Sequence, residues 1–130
     1  MSQDQLQFLG AARTVTGSKF LVTTPDATVL VDAGVYQGPR ELRERNWEDL
    51  PVRPGDIDAV VLTHAHIDHC GYVPRLVKQG FTGTVYATHR TVDLARIVLP
   101  DSGHLNEEEA AYRARHRASR HDALPYGLRP

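Results

Sequence analysis

Short apolar runs bounded by glycine, proline and polar turn residues mark the first third of the chain. Residues 6–9, 19–23 and 28–32 have the length and the β-branched or aromatic content of strands, which predicts three consecutive strands. Residues 59–62, AVVL, form a near-continuous apolar run, the pattern of a strand that is covered on both faces. A fifth strand is predicted over residues 84–87.

Helical spacing follows the fourth of these strands. In residues 71–79 the apolar positions recur three and four residues apart, and Gly80 ends the pattern, which predicts a helix. A second helix is predicted over 89–99, ending before Pro100, and a third over 104–118. Strands followed by alternating strands and helices indicate an α/β fold in which helices cover a mixed sheet.

Composition narrows the class of protein. The 130 residues and the 41% apolar fraction suit one compact domain with a modest core. No apolar run approaches the ~20 residues that a membrane span needs, and the start MSQDQLQFLG lacks the features of a secretory signal. The single cysteine, Cys70, cannot form an internal disulfide, which favours a cytoplasmic location. A net charge of -1 gives no global attraction to nucleic acid.

The fourth predicted strand ends in a cluster of metal-ligand side chains. The stretch THAHIDHC, residues 63–70, holds three of the seven histidines in the pattern H-x-H-x-D-H. Neutral imidazole and carboxylate are ligands that zinc and related ions prefer. In an extended segment, residues two apart point to the same side, so that His64 and His66 can hold one ion. Asp68 and His69 can reach a second ion nearby, and such a pair of ions activates water at neutral pH. A loop whose histidines only form hydrogen bonds is the disfavoured alternative.

The histidine motif and three flanking segments resemble one known family. HAHIDH looks like the HxHxDH motif of the metallo-β-lactamase fold, and FLGAARTVTGS, VLVDAGVYQGPRELRERNW and LPDSGHLNEEEAAY resemble its β-CASP branch of RNA-processing nucleases. The resemblance covers residues 6–112. It implies a metallo-β-lactamase-type αβ/βα sandwich of which residues 1–130 form the N-terminal part, without the β-CASP cap and the C-terminal half.

The resemblance also implies a role for each motif residue. Two zinc ions occupy the complete site of this family, so His64 and His66 would hold the first ion, and Asp68 and His69 the second. Asp32, which matches the family's first-motif aspartate, would orient these ligands by hydrogen bonds, and it joins Asp68 as an implied catalytic residue. Because a catalytic zinc normally has three protein ligands and this loop gives each ion two, we expect the isolated chain to bind zinc weakly and to have little activity.

Three functions remain open at this point. The first is a zinc-dependent hydrolase of phosphodiester bonds in single-stranded RNA, and the second is a hydrolase of the same fold that acts on a thioester or lactam. The third is a non-catalytic metal-binding or interaction module. The VTGS and NW segments favour the first over the second, whereas the small number of ligands favours the third for the isolated chain. A sheet with one uncovered face would also favour homo-oligomers.

Two further residues are interpreted as structural. Cys70 follows the ligand loop directly, and we predict a small buried side chain rather than a ligand. Trp47 ends a helix-prone segment over 41–47, and we predict a core residue rather than a platform for stacking bases.

Overall fold

A computed structural model describes residues 3–115 and contains a five-stranded mixed sheet. The strands are β1 (Gln5–Gly10), β2 (Lys19–Thr23), β3 (Thr28–Val31), β4 (Ala59–Val61) and β5 (Thr84–Tyr86), and they lie side by side in sequence order. β1, β2 and β3 are antiparallel neighbours, whereas β4 pairs in parallel with β3 and β5 in parallel with β4. The strands lie at the predicted apolar runs, and the α/β prediction is confirmed.

Within residues 3–115, four α-helices connect and flank these strands. They are α1 (Arg40–Glu44), α2 (Ile67–Cys70), α3 (Val73–Lys78) and α4 (His89–Arg115). The helix predicted over 71–79 corresponds to α3, which has proline in its first turn and is followed by Gly80 at φ 115°, a left-handed conformation that glycine adopts without strain. Within residues 3–115, no helix is both long enough and apolar enough to cross a bilayer.

One face of the sheet forms the hydrophobic core. Leu21, Leu30 and Val60 are aligned across β2, β3 and β4 and are buried. They belong to the same apolar cluster as Cys70 of α2 and Leu76 of α3. Burial of one such aliphatic side chain contributes about 1.5–3 kcal/mol, so this layer fixes α2 and α3 against the sheet.

The opposite face of the sheet is apolar but partly exposed. A row of aligned residues crosses all five strands: Phe8, Phe20, Val31, Val61 and Tyr86. Val61 remains 38% exposed, whereas the neighbouring Val60 is fully buried. Within the described residues, the helices cover only the face of β4 that carries Val60. The prediction that residues 59–62 are covered on both faces is therefore wrong.

The last helix runs through Pro100, and the predicted break there is wrong. α4 is continuous from His89 to Arg115, with Pro100 inside it. An internal proline removes one backbone hydrogen bond and costs about 3 kcal/mol or more, but tertiary packing holds the helix on both sides of it: Leu99 packs against the core cluster, and Ala95 and Ala110 are buried. The end of the predicted third helix, residues 116–118, lies outside the described residues.

Lys19, the first residue of β2, is buried between two tyrosine rings. It is 2% exposed, and its Nζ lies 4.8 Å from the ring centre of Tyr36 and 4.6 Å from that of Tyr72. Burial lowers the pKa of the ammonium group from 10.5 to about 8, because the charged form loses its hydration. The two rings offset part of this cost through cation–π attraction.

We expect the free energy of unfolding to rise with pH because of Lys19. The folded pKa is lower than the unfolded pKa, so the cost of burying the charge is complete below pH 8 and disappears as the pH approaches 10.5. Lys19→Met should have a higher free energy of unfolding than the wild type at pH 7. This difference should shrink by up to about 3 kcal/mol between pH 8 and pH 10.5. Urea unfolding of both proteins measures it, and a difference that is independent of pH would contradict the expectation.

Candidate metal centre

The predicted ligand loop follows β4 and leads into α2. His66 has extended backbone angles (φ -70°, ψ 143°) immediately before α2, and Asp68 lies in the first turn of that helix. The loop therefore lies beyond the carboxyl end of a parallel strand, where α/β sheets commonly bind ligands. The short helix brings the second half of the motif back towards the first half.

Three of the four predicted ligands converge. His64, Asp68 and His69 each offer one ligand atom, and these atoms lie within 4.8 Å of one another. His69 Nε2 is 3.3 Å from Asp68 Oδ2, and the ring centres of His64 and His69 are 3.8 Å apart. The ligand atoms of a tetrahedral zinc lie ~3.3 Å apart, so modest side-chain rotations bring all three atoms to one ion. Two imidazoles and one carboxylate therefore fit a zinc ion.

His66 lies beside this cluster but outside it. Its ring centre is 4.8 Å from that of His64, with the rings nearly perpendicular, and its side chain is exposed. The pairing of His64 with His66 on one ion, and of Asp68 with His69 on another, stays a prediction. The geometry adds that one position can receive three protein ligands, whereas the sequence pattern offered two to each ion.

Asp32 lies behind the cluster and accepts three hydrogen bonds. It directly follows β3, is 3% exposed and has φ 61°, a left-handed conformation that aspartate tolerates better than most residues. The backbone N–H of Thr63 donates to its Oδ1 at 2.8 Å, and the Thr63 hydroxyl donates to Oδ2 at 2.8 Å. The third donor is His69 Nδ1, which lies 2.8 Å from Oδ2.

These hydrogen bonds orient both imidazoles of the cluster. A carboxylate that accepts from Nδ1 places the proton of a neutral His69 on that nitrogen, which leaves Nε2 available as a ligand. The Thr63 hydroxyl also lies 3.0 Å from His64 Nδ1, so a hydroxyl that donates to Asp32 can accept from this nitrogen. This role of Thr63 was not predicted from the sequence. The only indication in the sequence is a hydroxyl side chain directly before the first histidine of the motif.

The backbone of α2 packs directly on the residues that follow β3 and on Ser18, which precedes β2. The N–H of Ser18 donates to the carbonyl of Asp68 at 3.1 Å, and that of Ala33 donates to the carbonyl of His69 at 2.8 Å. Gly34 lies so close that a Cβ added there would be 1.7 Å from the Asp68 carbonyl oxygen. The position of the two ligands on α2 therefore depends on a glycine at residue 34.

Cys70 is buried beneath the ligand loop, which confirms the prediction of a small core residue. Its Sγ lies 3.4 Å from the carbonyl oxygen of Ala65. Burial raises the pKa of the thiol, and the nearby carboxylates of Asp32 and Asp68 raise it further. The thiol therefore stays protonated and packs in the core.

Similar sequences and structures are known. Residues 13–121 match the sequence profile of the Metallo-beta-lactamase superfamily. The chain is 48% identical over 93 residues to Ribonuclease TTHA0252 from Thermus thermophilus and 39% identical over 97 residues to Transcription termination factor FttA from Methanocaldococcus jannaschii. These matches cover 72% and 75% of this chain but only 21% and 15% of the relatives. A solved metallo-beta-lactamase with a HARLDQ motif, from Cronobacter sakazakii, is 31% identical with a TM-score of 0.49, over 68% of this chain and 32% of that one.

Proposed function

Because the chain belongs to the metallo-β-lactamase superfamily, we propose that it carries the metal-ligand loop of a zinc-dependent hydrolase that cleaves phosphodiester bonds in single-stranded RNA. The convergence of His64, Asp68 and His69 is the observation that carries the proposal. RNA as the substrate is supported by similarity to a protein named a ribonuclease and to a transcription termination factor. A cytoplasmic location belongs to the same proposal.

Some residues of the centre would bind the metal directly, and others hold those ligands in position. His64 and His69 would bind through Nε2, since their Nδ1 atoms face Thr63 and Asp32. Asp68 would add a negative charge to the ligand set. A zinc ion bound there supplies Lewis acidity towards an oxygen of the phosphodiester. Buried Asp32 keeps the His69 ring in an orientation that leaves Nε2 free as the ligand atom.

A second ion is part of the proposal. His66 is exposed next to His64 and offers an imidazole that the cluster of three does not use. In the two-zinc arrangement that the resemblance implies, His66 would hold the first ion together with His64, and Asp68 and His69 would hold the second. We therefore assign His66 to the metal set and expect its loss to weaken metal binding less than the loss of His64.

Cleavage of labelled single-stranded RNA under single-turnover conditions tests the proposed function. We expect slow cleavage that requires zinc and falls below detection in the double variant His64→Ala, His66→Ala. The matched control is His89→Ala, which removes an exposed histidine at the start of α4 and should leave the rate unchanged. Hydrolysis of a thioester or a lactam without cleavage of RNA would favour the second function. Zinc binding without any hydrolysis would favour a non-catalytic module.

We further propose that the chain forms homo-oligomers through the exposed sheet face. The aligned row that contains Phe8, Val61 and Tyr86 leaves apolar surface in contact with water, which favours association. Light scattering should show an average mass that rises with concentration, and Val61→Lys should shift it towards the monomer. Val15→Lys, at a position 90% exposed and outside the strands, is the control. A wild type that stays monomeric at high concentration would contradict the proposal.

A further inference from the structure

A cavity of about 440 Å³ adjoins the helix that carries two of the metal ligands. Ile67 and Gly71 line this cavity, whereas Asp68 and His69, which lie between them in sequence, belong to the metal cluster. Other walls come from α4 and from the turn after α1. Pockets of ~300–1,000 Å³ accommodate small organic ligands, so this cavity suits a single small molecule.

The cavity is positively charged, and one of its cations has a buried donor without a partner. Arg43 and Arg75 line it, and no acidic residue does so in the part of the chain that the structure describes. Arg75 stacks over the ring of Trp47 at 4.7 Å and donates a hydrogen bond to the carbonyl of that residue at 3.2 Å. Arg43 Nε, in contrast, is buried without a hydrogen-bond partner among residues 3–115. An anionic ligand in the cavity would meet the two guanidinium charges of Arg43 and Arg75 that line it.

The remaining walls combine aromatic rings with fixed backbone. Trp47 is only half-buried and borders the cavity, so the prediction of a core residue is wrong. The side chain of Asn46 clamps the backbone of Tyr36, accepting from its N–H at 2.7 Å and donating to its carbonyl at 2.9 Å. Ser102 and Asn106 line the cavity from positions one helical turn apart in α4, where they offer polar groups.

We propose that this cavity binds a mononucleotide, with its phosphate paired to the guanidinium of Arg43 and its base against the side chain of Trp47. A guanidinium matches the geometry of a phosphate and forms charge-assisted hydrogen bonds with it. Aromatic side chains stack on bases of any sequence. Ser102 and Asn106 supply groups that can bind ribose hydroxyls or base edges. The site is separate from the metal cluster and does not depend on the proposed nuclease function.

Trp47, the only tryptophan of the chain, gives a direct signal for binding. We expect adenosine monophosphate to change its fluorescence saturably, with calorimetry giving the same affinity, and adenosine or inorganic phosphate alone to bind at least tenfold more weakly. Arg43→Gln should weaken binding of the nucleotide at least tenfold. Arg53→Gln is the matched control, because the side chain of Arg53 is 89% exposed and lies outside the cavity lining.

A second variant tests the site without removing a charge. Gly103 lines the cavity, and a Cβ added there would meet no atom within 4 Å. Gly103→Leu should therefore abolish nucleotide binding, while the thermal midpoint stays the same or rises because leucine is the better helix former. Three results would overturn the proposal: no saturable binding to the wild type at millimolar nucleotide, equal binding of inorganic phosphate, or binding that neither Arg43→Gln nor Gly103→Leu weakens.

Discussion

Gly34→Ala is expected to displace α2 and to lower the free energy of unfolding by about 3 kcal/mol or more. The added Cβ would lie 1.7 Å from the carbonyl oxygen of Asp68 and 2.2 Å from its carbonyl carbon. Both neighbours are backbone atoms, so the helix must move away from the residues after β3. That movement would lengthen the hydrogen bond from Ala33 N–H to the carbonyl of His69. It would also move Asp68 and His69 away from His64. Urea unfolding and zinc calorimetry measure the two effects.

Gly103→Ala is the matched control for this substitution. A Cβ at Gly103 would meet no atom within 4 Å, and the residue lies inside α4. Alanine there should stabilise the protein by up to about 1 kcal/mol, because glycine is a poor helix former. If Gly34→Ala matched the wild type in both stability and zinc affinity, the contact between Gly34 and α2 would not be what positions the ligands.

Asp32→Ala is expected to cost about 3 kcal/mol in stability and to weaken zinc binding ~10–100-fold. The substitution removes the acceptor of the hydrogen bonds from Thr63 N–H, the Thr63 hydroxyl and His69 Nδ1. The carboxylate is buried, so water replaces these bonds poorly. Unfolding in urea gives the loss of stability, and calorimetry gives the loss of zinc affinity.

Asp32→Asn separates the orienting role from the structural one. Asparagine keeps the size of the side chain and one acceptor oxygen, but it replaces the other oxygen with a donor. We expect this variant to retain more stability than Asp32→Ala while still binding zinc more weakly than the wild type. Asp26→Ala, in the exposed turn before β3, should change neither quantity. Zinc binding by Asp32→Asn at wild-type affinity would show that the carboxylate does not orient the ligands.

The strands and the ligand loop could be predicted because local sequence determines them. β-branched and aromatic runs bounded by turn residues predicted all five strands, and one buried apolar run located the loop that follows β4. The resemblance to the metallo-β-lactamase superfamily and its RNA-processing branch, based on HAHIDH and three flanking segments, is confirmed by the match over residues 13–121 and by the relatives.

The features that sequence reasoning missed depend on contacts between distant segments. The hydrogen bonds of Thr63 to Asp32 join residues 31 positions apart. The cavity beside Trp47 forms only where the turn after α1 meets α4. At Pro100, a local rule predicted a break, but packing of the helix on both sides of the proline continued it. The pairing of the ligands from their spacing stays a prediction, and the convergence of His64, Asp68 and His69, which the turn into α2 produces, could not be read from spacing alone.

Calorimetric titration of zinc into the wild type and into the double variant His64→Ala, His69→Ala tests the metal centre most directly. The double variant removes two of the three converging ligands, and the double variant His89→Ala, His104→Ala, which removes two exposed histidines of α4, is the matched control. At least one zinc ion should bind per wild-type and control chain, and this binding should be lost in the variant without His64 and His69. Equal zinc affinity and stoichiometry in all three proteins would contradict a metal centre formed by His64, Asp68 and His69.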